Sequence, residues 1–186
     1  MCDLDFELFS FNTRGIGDKV KRNMIFNHLK KKSKKGIFLL QETHSCIENE
    51  LLWKREWEGE IYFSHGTGNS CGVAILISPG LNITVKEELS DQPGRTQFLR
   101  INIGDKDSEI LIVNIYAPTR NKVHEQISFL SKLKNQINCL DFVHIITGGD
   151  WNMIFDPKLD KQGGTTANCV NEYILQTLKN LLKFMT

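Results

Sequence analysis

Apolar and polar positions come in blocks along the chain, and block length separates strands from helices. Short apolar runs bounded by polar turns read as buried strands, whereas apolar positions recurring every three or four residues read as helix faces. On this basis strands are predicted near 4–11, over 37–41, at Ile61-Tyr62-Phe63, over 72–77, at Ile83-Thr84-Val85, over 98–103 and 109–116, and over 142–146 leading into Asp150. Helical spacing predicts a helix near 18–32, with Val20, Met24, Ile25 and Leu29 on one face, and another near 46–57, with Ile47, Leu51, Leu52 and Trp57 roughly on one side. A third is predicted near 122–137 through Val123, Ile127, Leu130, Leu133 and Ile137, and a last one through Val170, Tyr173, Ile174, Leu178, Leu181 and Leu182.

The first part of this order alternates strand and helix, as in an α/β domain. From 72 to 116, strands follow one another on short polar loops such as Ser78-Pro79-Gly80, which implies antiparallel neighbours. With 186 residues and 40% hydrophobic content the chain reads as a single domain able to bury a core, with no repeat, low-complexity tract or linker. Its last apolar face continues to Phe184-Met185-Thr186 with no strand after it, the pattern expected of a chain that stops inside a fold.

Composition narrows the setting. No apolar run approaches the roughly 18 residues that cross a bilayer, and the start Met1-Cys2-Asp3-Leu4-Asp5 is acidic where a secretory signal is basic, so an intracellular chain, nuclear or cytoplasmic, without a membrane partner is expected. Five scattered cysteines lack the paired spacing of a zinc site and are expected to be reduced. Net charge is +1, so a polyanionic partner is not announced globally. The one basic run, Lys30-Lys31-Lys32-Ser33-Lys34-Lys35 before Gly36, reads either as a helix end whose lysines complement the dipole and whose glycine caps it, or as a nucleic-acid or nuclear-import patch.

Chemistry is suggested by what ends the strands. Four apolar stretches close in a polar tip: Asn12, Glu42, Tyr116 and, after Gly148-Gly149, Asp150 with Asn152 two positions on. Ligands of α/β proteins sit beyond the carboxyl ends of strands, so these tips could converge on a metal and a phosphate. Each also has a plainer reading: Glu42 as an acid satisfying backbone donors at a helix start, Asn12 as a turn former, Tyr116 as a structural ring, Asp150 with Asn152 as an Asx-turn.

Asn12 after a strand, Leu40-Gln41-Glu42-Thr43, Asn114-Ile115-Tyr116-Ala117-Pro118 and Gly149-Asp150-Trp151-Asn152 occur in the order and spacing of the endonuclease/exonuclease/phosphatase superfamily. Within it the chain most resembles the endonuclease domain of LINE-type non-LTR retrotransposons, which is related to apurinic endonucleases. The resemblance runs from about residue 6 to about 164. It includes Gln41-Glu42-Thr43-His44, Cys71 to Ile77 and Asp156-Pro157-Lys158-Leu159-Asp160. It implies an α/β (α+β) DNase I-like fold, a two-sheet β-sandwich flanked by helices, with one complete sheet and only part of its partner in this segment.

The resemblance also implies roles. Glu42 is expected to bind Mg²⁺ or Mn²⁺, Asn12 beside it to hold the metal or its water, and Tyr116 to donate to a phosphate oxygen. Asp150 is expected to orient or deprotonate water, and Asn152 to bond the scissile phosphate. Thr119 stands where many relatives have a phosphate-contacting asparagine, and Arg120 is the candidate to compensate for it. The family's later blocks, which carry a catalytic histidine and two further aspartates, do not occur in these residues. His44 is nearest the site in sequence but not in the catalyst's position, and His28, His65, His124 and His144 read as surface or core residues. The expected function is therefore metal-dependent nicking of DNA by part of a retrotransposon polyprotein with a reverse transcriptase, impaired in this segment. The alternatives are a silent remnant that packs or binds nucleic acid, and a phosphoesterase acting on inositol phosphates, lipids or nucleotides.

Overall fold

Two mixed four-stranded sheets carry the architecture. The structure, a computed structural model, describes residues 6–104, 109–119, 122–140 and 144–153. The elements are β1 (Glu7–Asn12), α1 (Lys19–Lys32), β2 (Gly36–Gln41), α2 (Glu50–Trp57, preceded by a 3₁₀ turn), β3 (Glu60–Ser64), β4 (Val73–Ile77), β5 (Ile83–Ser90), β6 (Thr96–Ile103), β7 (Glu109–Tyr116), α3 (Val123–Asn138) and β8 (His144–Asp150). One sheet has the order β1-β2-β4-β3, the other β5-β6-β7-β8. The chain forms two compact units, one holding β1 to β7 up to Tyr116 together with β8, the other beginning at Ala117, holding α3 and resuming at Trp151.

In the first unit, β2 and β4 are buried along their whole length because both faces of their sheet are covered. Alternate residues divide between two cores. Ile37, Leu39, Ile75 and Ile77 pack against Leu99, Ile101, Ile110 and Ile112 of the second sheet. Phe38, Leu40, Ala74 and Leu76 face the other way, onto Phe26 and Leu29 of α1 and Trp53 and Trp57 of α2. The two-sheet sandwich with flanking helices is as the resemblance implied.

Local expectations need correcting in four places. On α1 the buried residues are Arg22, Phe26 and Leu29, while Val20 and Met24 are 67% and 69% exposed. On α2 they are Trp53 and Trp57, while Ile47, Leu51 and Leu52 are exposed. Gly36 does not cap α1. Ser33 is the C-cap, its N–H donating to the Leu29 carbonyl, and Gly36 opens β2. Finally, β4 does not pair with β5 but lies between β2 and β3, and β5 runs on to Ser90 through a register shift at Val85/Glu87. Antiparallel pairing holds for β5-β6-β7. The predicted helix after residue 170 lies outside the described residues.

Candidate active site at the strand ends

β1 and β2 run parallel with Asn12 opposite Gln41, and β7 and β8 run parallel with Tyr116 opposite Asp150. The first pairing continues past the strands: Thr13 N donates to the Gln41 carbonyl (2.8 Å), Gly15 N to that of Glu42 (2.6 Å) and Ile16 N to that of Thr43 (3.1 Å). The Thr13 hydroxyl also lies 2.9 Å from the carbonyls of both Gln41 and Glu42. These bonds seat Asn12 beside Glu42 and hold Glu42 at φ 51°, a left-handed conformation that costs a glutamate about 1–3 kcal/mol. β1 also packs beside β8, which brings the two strand pairs together.

Four of the expected residues meet there. The Asn12 side-chain amide donates to Glu42 Oε1 and to Asp150 Oδ2, both at 2.8 Å, so the two carboxylate oxygens are at most twice that length apart. Asn12 Oδ1 accepts from Arg14 N at 3.1 Å, which turns the amide nitrogen toward the acids. The Tyr116 hydroxyl is bonded to Glu42, and its pKa is pushed up to about 12 by burial first, then by the Glu42 charge and that bond; the Arg95 guanidinium pulls the other way. An open cavity of about 480 Å³ adjoins Asn12 and Asp150 and carries two cations, Arg14 and Lys21.

Glycine is required where β8 delivers Asp150. Gly149 has φ 136°, and a Cβ there would lie 1.9 Å from the Ile115 carbonyl oxygen of β7. Any side chain would push the two strands apart and withdraw Asp150 from Asn12.

Beneath the site lies a buried amide pair. Gln41 and Asn114 are 1% and 0% exposed, and Gln41 Nε2 donates to Asn114 Oδ1 at 2.7 Å across the two sheets. Asn114 Nδ2 donates in turn to the carbonyls of Leu40 (2.9 Å) and Ala74 (2.8 Å). Gln41 immediately precedes Glu42, and Asn114 lies two residues before Tyr116, so this pair ties the sheets together at the depth of the acids. Polar residues inside apolar runs signal such pairs, because a buried amide without a partner is costly.

Asn152 and Thr119 belong to the second unit. There the Asn152 amide donates to the Ala117 carbonyl at 2.8 Å, and Gln126 Nε2 donates to the Pro118 carbonyl. Thr119 is exposed and its carbonyl accepts from Lys122 N. Arg120 lies outside the described residues. His65, just past β3, is bonded to Ser45 (3.0 Å) and Glu50 (3.3 Å) and stacked on Phe63. The lysine run is partly absorbed by packing: Lys30 pairs with Glu58, and Lys32 sits over the Phe9 ring.

Among the described residues no three His, Cys, Asp or Glu side chains converge as a metal cage. Mg²⁺ does not need one, since it is held by one or two carboxylates and completes its shell with water and substrate oxygens. Two acids joined only through a neutral amide form a hard-oxygen donor set of that kind, so the residues present fit the ion.

The chain has a DNase I-like fold, shared with solved AP endonucleases. It is similar to the AP endonuclease LMAP of Leishmania major (TM-score 0.72, 14% identity, 96% of this chain and 66% of that one). An AP endonuclease of Archaeoglobus fulgidus is equally similar (TM-score 0.71, 21% identity, 96% of this chain and 70% of that one). At the level of sequence, the "Transposon TX1 uncharacterized 149 kDa protein" of Xenopus laevis is 31% identical over 150 residues. That match takes in 80% of this chain and 11% of the transposon protein. No family model matches the chain. Among the described residues no helix is long and apolar enough to cross a membrane.

Proposed function

We propose that the chain hydrolyses phosphodiester bonds with a divalent metal, nicking DNA as the endonuclease part of a retrotransposon polyprotein. One observation carries this reading: a single amide bridges the carboxylates of Glu42 and Asp150, which come from strand ends far apart in the chain. Like charges are gathered at such cost where chemistry or a cation needs them.

In this reading Glu42 holds Mg²⁺ or Mn²⁺, which when bound supplies Lewis-acid stabilisation of charge on the phosphate. The Asp150 carboxylate takes a proton from water as the water oxygen bonds to phosphorus. The bond to the 3′ oxygen breaks and that oxygen takes a proton from solvent water, leaving a 3′-hydroxyl and a 5′-phosphate. The Tyr116 hydroxyl, still protonated at neutral pH, donates to a non-bridging phosphate oxygen. Asn12 keeps both acids aligned side by side. Asn152 and Thr119 are assigned phosphate contacts on the family resemblance alone.

The test is nicking of supercoiled plasmid by the 186-residue chain with and without Mg²⁺. Metal-dependent conversion to open circles that is abolished by Glu42→Ala supports the reading. Mobility shift without nicking leaves a DNA-binding protein, and turnover of nucleotides or inositol phosphates but not plasmid leaves a phosphoesterase.

A further inference from the structure

Two arginines of the first unit are spent on carboxylates: Arg22 on Glu56, and Arg100 on Glu87 and Glu109. Arg95 is built differently. Its guanidinium lies 5.3 Å from the centre of the Tyr116 ring, and one Nη donates to the Tyr116 carbonyl at 3.2 Å. Among the described residues no carboxylate pairs with it. The nearby Asp91 is occupied, since its Oδ1 accepts from Arg95 N (2.7 Å), Thr96 N (2.8 Å) and the Ser64 hydroxyl (2.9 Å).

Those bonds fix the turn between β5 and β6, and a second loop locks it. Gly72 N donates to the Gly94 carbonyl at 2.9 Å, and a Cβ on Gly94 would lie 2.4 Å from the His65 carbonyl oxygen. The guanidinium is therefore held against a site tyrosine by a rigid turn, half-buried, with donors to spare. A cation in that state is costly to leave without a counter-charge, and a planar fork matches a phosphate.

We propose that Arg95 is a substrate-binding residue that grips the phosphodiester strand beside Tyr116, supplying one phosphate contact that the family resemblance does not assign. This rests on the nuclease reading, and it asks for a substrate with a second phosphate beside the scissile one, which a DNA strand offers at every step and a nucleoside monophosphate lacks.

The experiment measures affinity of the full chain for a fluorescein-labelled duplex oligonucleotide across a salt series, for wild type, Arg95→Gln and Arg95→Lys. Each phosphate neutralised contributes about 0.9 to the slope of log affinity against log salt. Arg95→Gln is expected to make that slope shallower by about one and to weaken all sequences alike. Arg95→Lys is expected to keep the slope while lowering nicking through the lost grip on Tyr116. Should Arg95→Gln not fold, retention of the wild-type slope by Arg95→Lys still supports the contact, and a shallower slope in Arg95→Lys overturns it. A wild-type slope in folded Arg95→Gln overturns this inference alone. Failure of the wild type to bind duplex at all overturns the nuclease reading with it.

Discussion

Two charged clusters in the first unit are built from opposite rules. At the α1–α2 contact, Arg22 is 2% exposed and meets Glu56 through two bonds of 2.6 and 3.1 Å, while its Nη1 donates to the Ile16 and Gly17 carbonyls and its guanidinium covers Trp53. Charge is cancelled and the guanidinium is used on several sides at once. At the strand ends, Glu42 and Asp150 carry the same sign and share one neutral amide. The first arrangement holds helices in place. The second gathers like charge around one neutral amide, an arrangement that suits a bound cation.

The sharpest way to break the comparison is to remove one acid. Asp150→Asn should lower plasmid nicking by about 10²–10⁴-fold, the usual worth of a positioned general base. Its melting temperature should stay level or rise, because one of two neighbouring like charges is gone. A fall in melting temperature comparable to loss of a core contact would mean that Asp150 is structural.

Arg22→Met should do the reverse. Leaving Glu56 without its partner is expected to cost about 3–5 kcal/mol, measured by urea unfolding, with Asn12 and its neighbours unaltered. The Arg22 bond is the main reason the Glu56 pKa is lowered. A lowered carboxylate contributes stability above the unfolded value near about 4.3, lost as pH falls through the folded value. The variant should therefore also lose part of the acid limb of the stability curve. Unchanged unfolding at both pH 7 and pH 3 would show the pair to be inert.

How far the sequence reveals these clusters follows from their chemistry. Asn12, Glu42, Tyr116 and Asp150 are polar residues ending apolar runs, so both the strands and the tips are visible in one dimension. Aliphatic residues dominate a periodicity argument, so it marks the helix faces only in part. On α1 and α2 the predicted Leu29 and Trp57 are buried, but Arg22, Phe26 and Trp53 join them while Val20, Met24, Leu51 and Leu52 stay outside. An arginine becomes a core residue only through Glu56, 34 positions away, and no local pattern contains that pairing. Arg95 escaped for the same reason: its meaning comes from Tyr116 across the β6–β7 pairing.

If the acids await a cation, Mg²⁺ should stabilise the folded chain even without substrate. At tenfold excess over its dissociation constant the gain is about 1.4 kcal/mol, a rise of a few degrees in melting temperature for a chain of this size. Ca²⁺ and Mg²⁺ titrations followed by thermal melting would measure it. The shift should be abolished in Glu42→Gln and kept in Arg22→Met, after allowance for the lower starting point. An equal shift in Glu42→Gln would move the ion elsewhere on the surface.

The smallest effect is the most specific to the geometry. In metal-free protein the Tyr116 hydroxyl titrates at about 12, raised first by burial and then by the charge of Glu42 and their mutual bond. A raised phenol keeps its proton in the fold while the unfolded chain releases it near about 10. This contribution to stability is whole below pH 10 and fades as pH climbs through 12. Glu42→Gln removes the charge but not the burial, so Tyr116 should titrate lower than in the wild type yet still above an ordinary tyrosine. Ring-labelled tyrosine followed by carbon NMR between pH 9 and about 12.5 resolves the change, and Tyr116→Phe assigns the signal. The donor remains protonated near pH 8 in both proteins, so any loss of nicking in Glu42→Gln at that pH belongs to the lost carboxylate and not to Tyr116. A Tyr116 midpoint that ignores Glu42→Gln would separate the two side chains and dissolve the cluster on which the contrast with Arg22 and Glu56 depends.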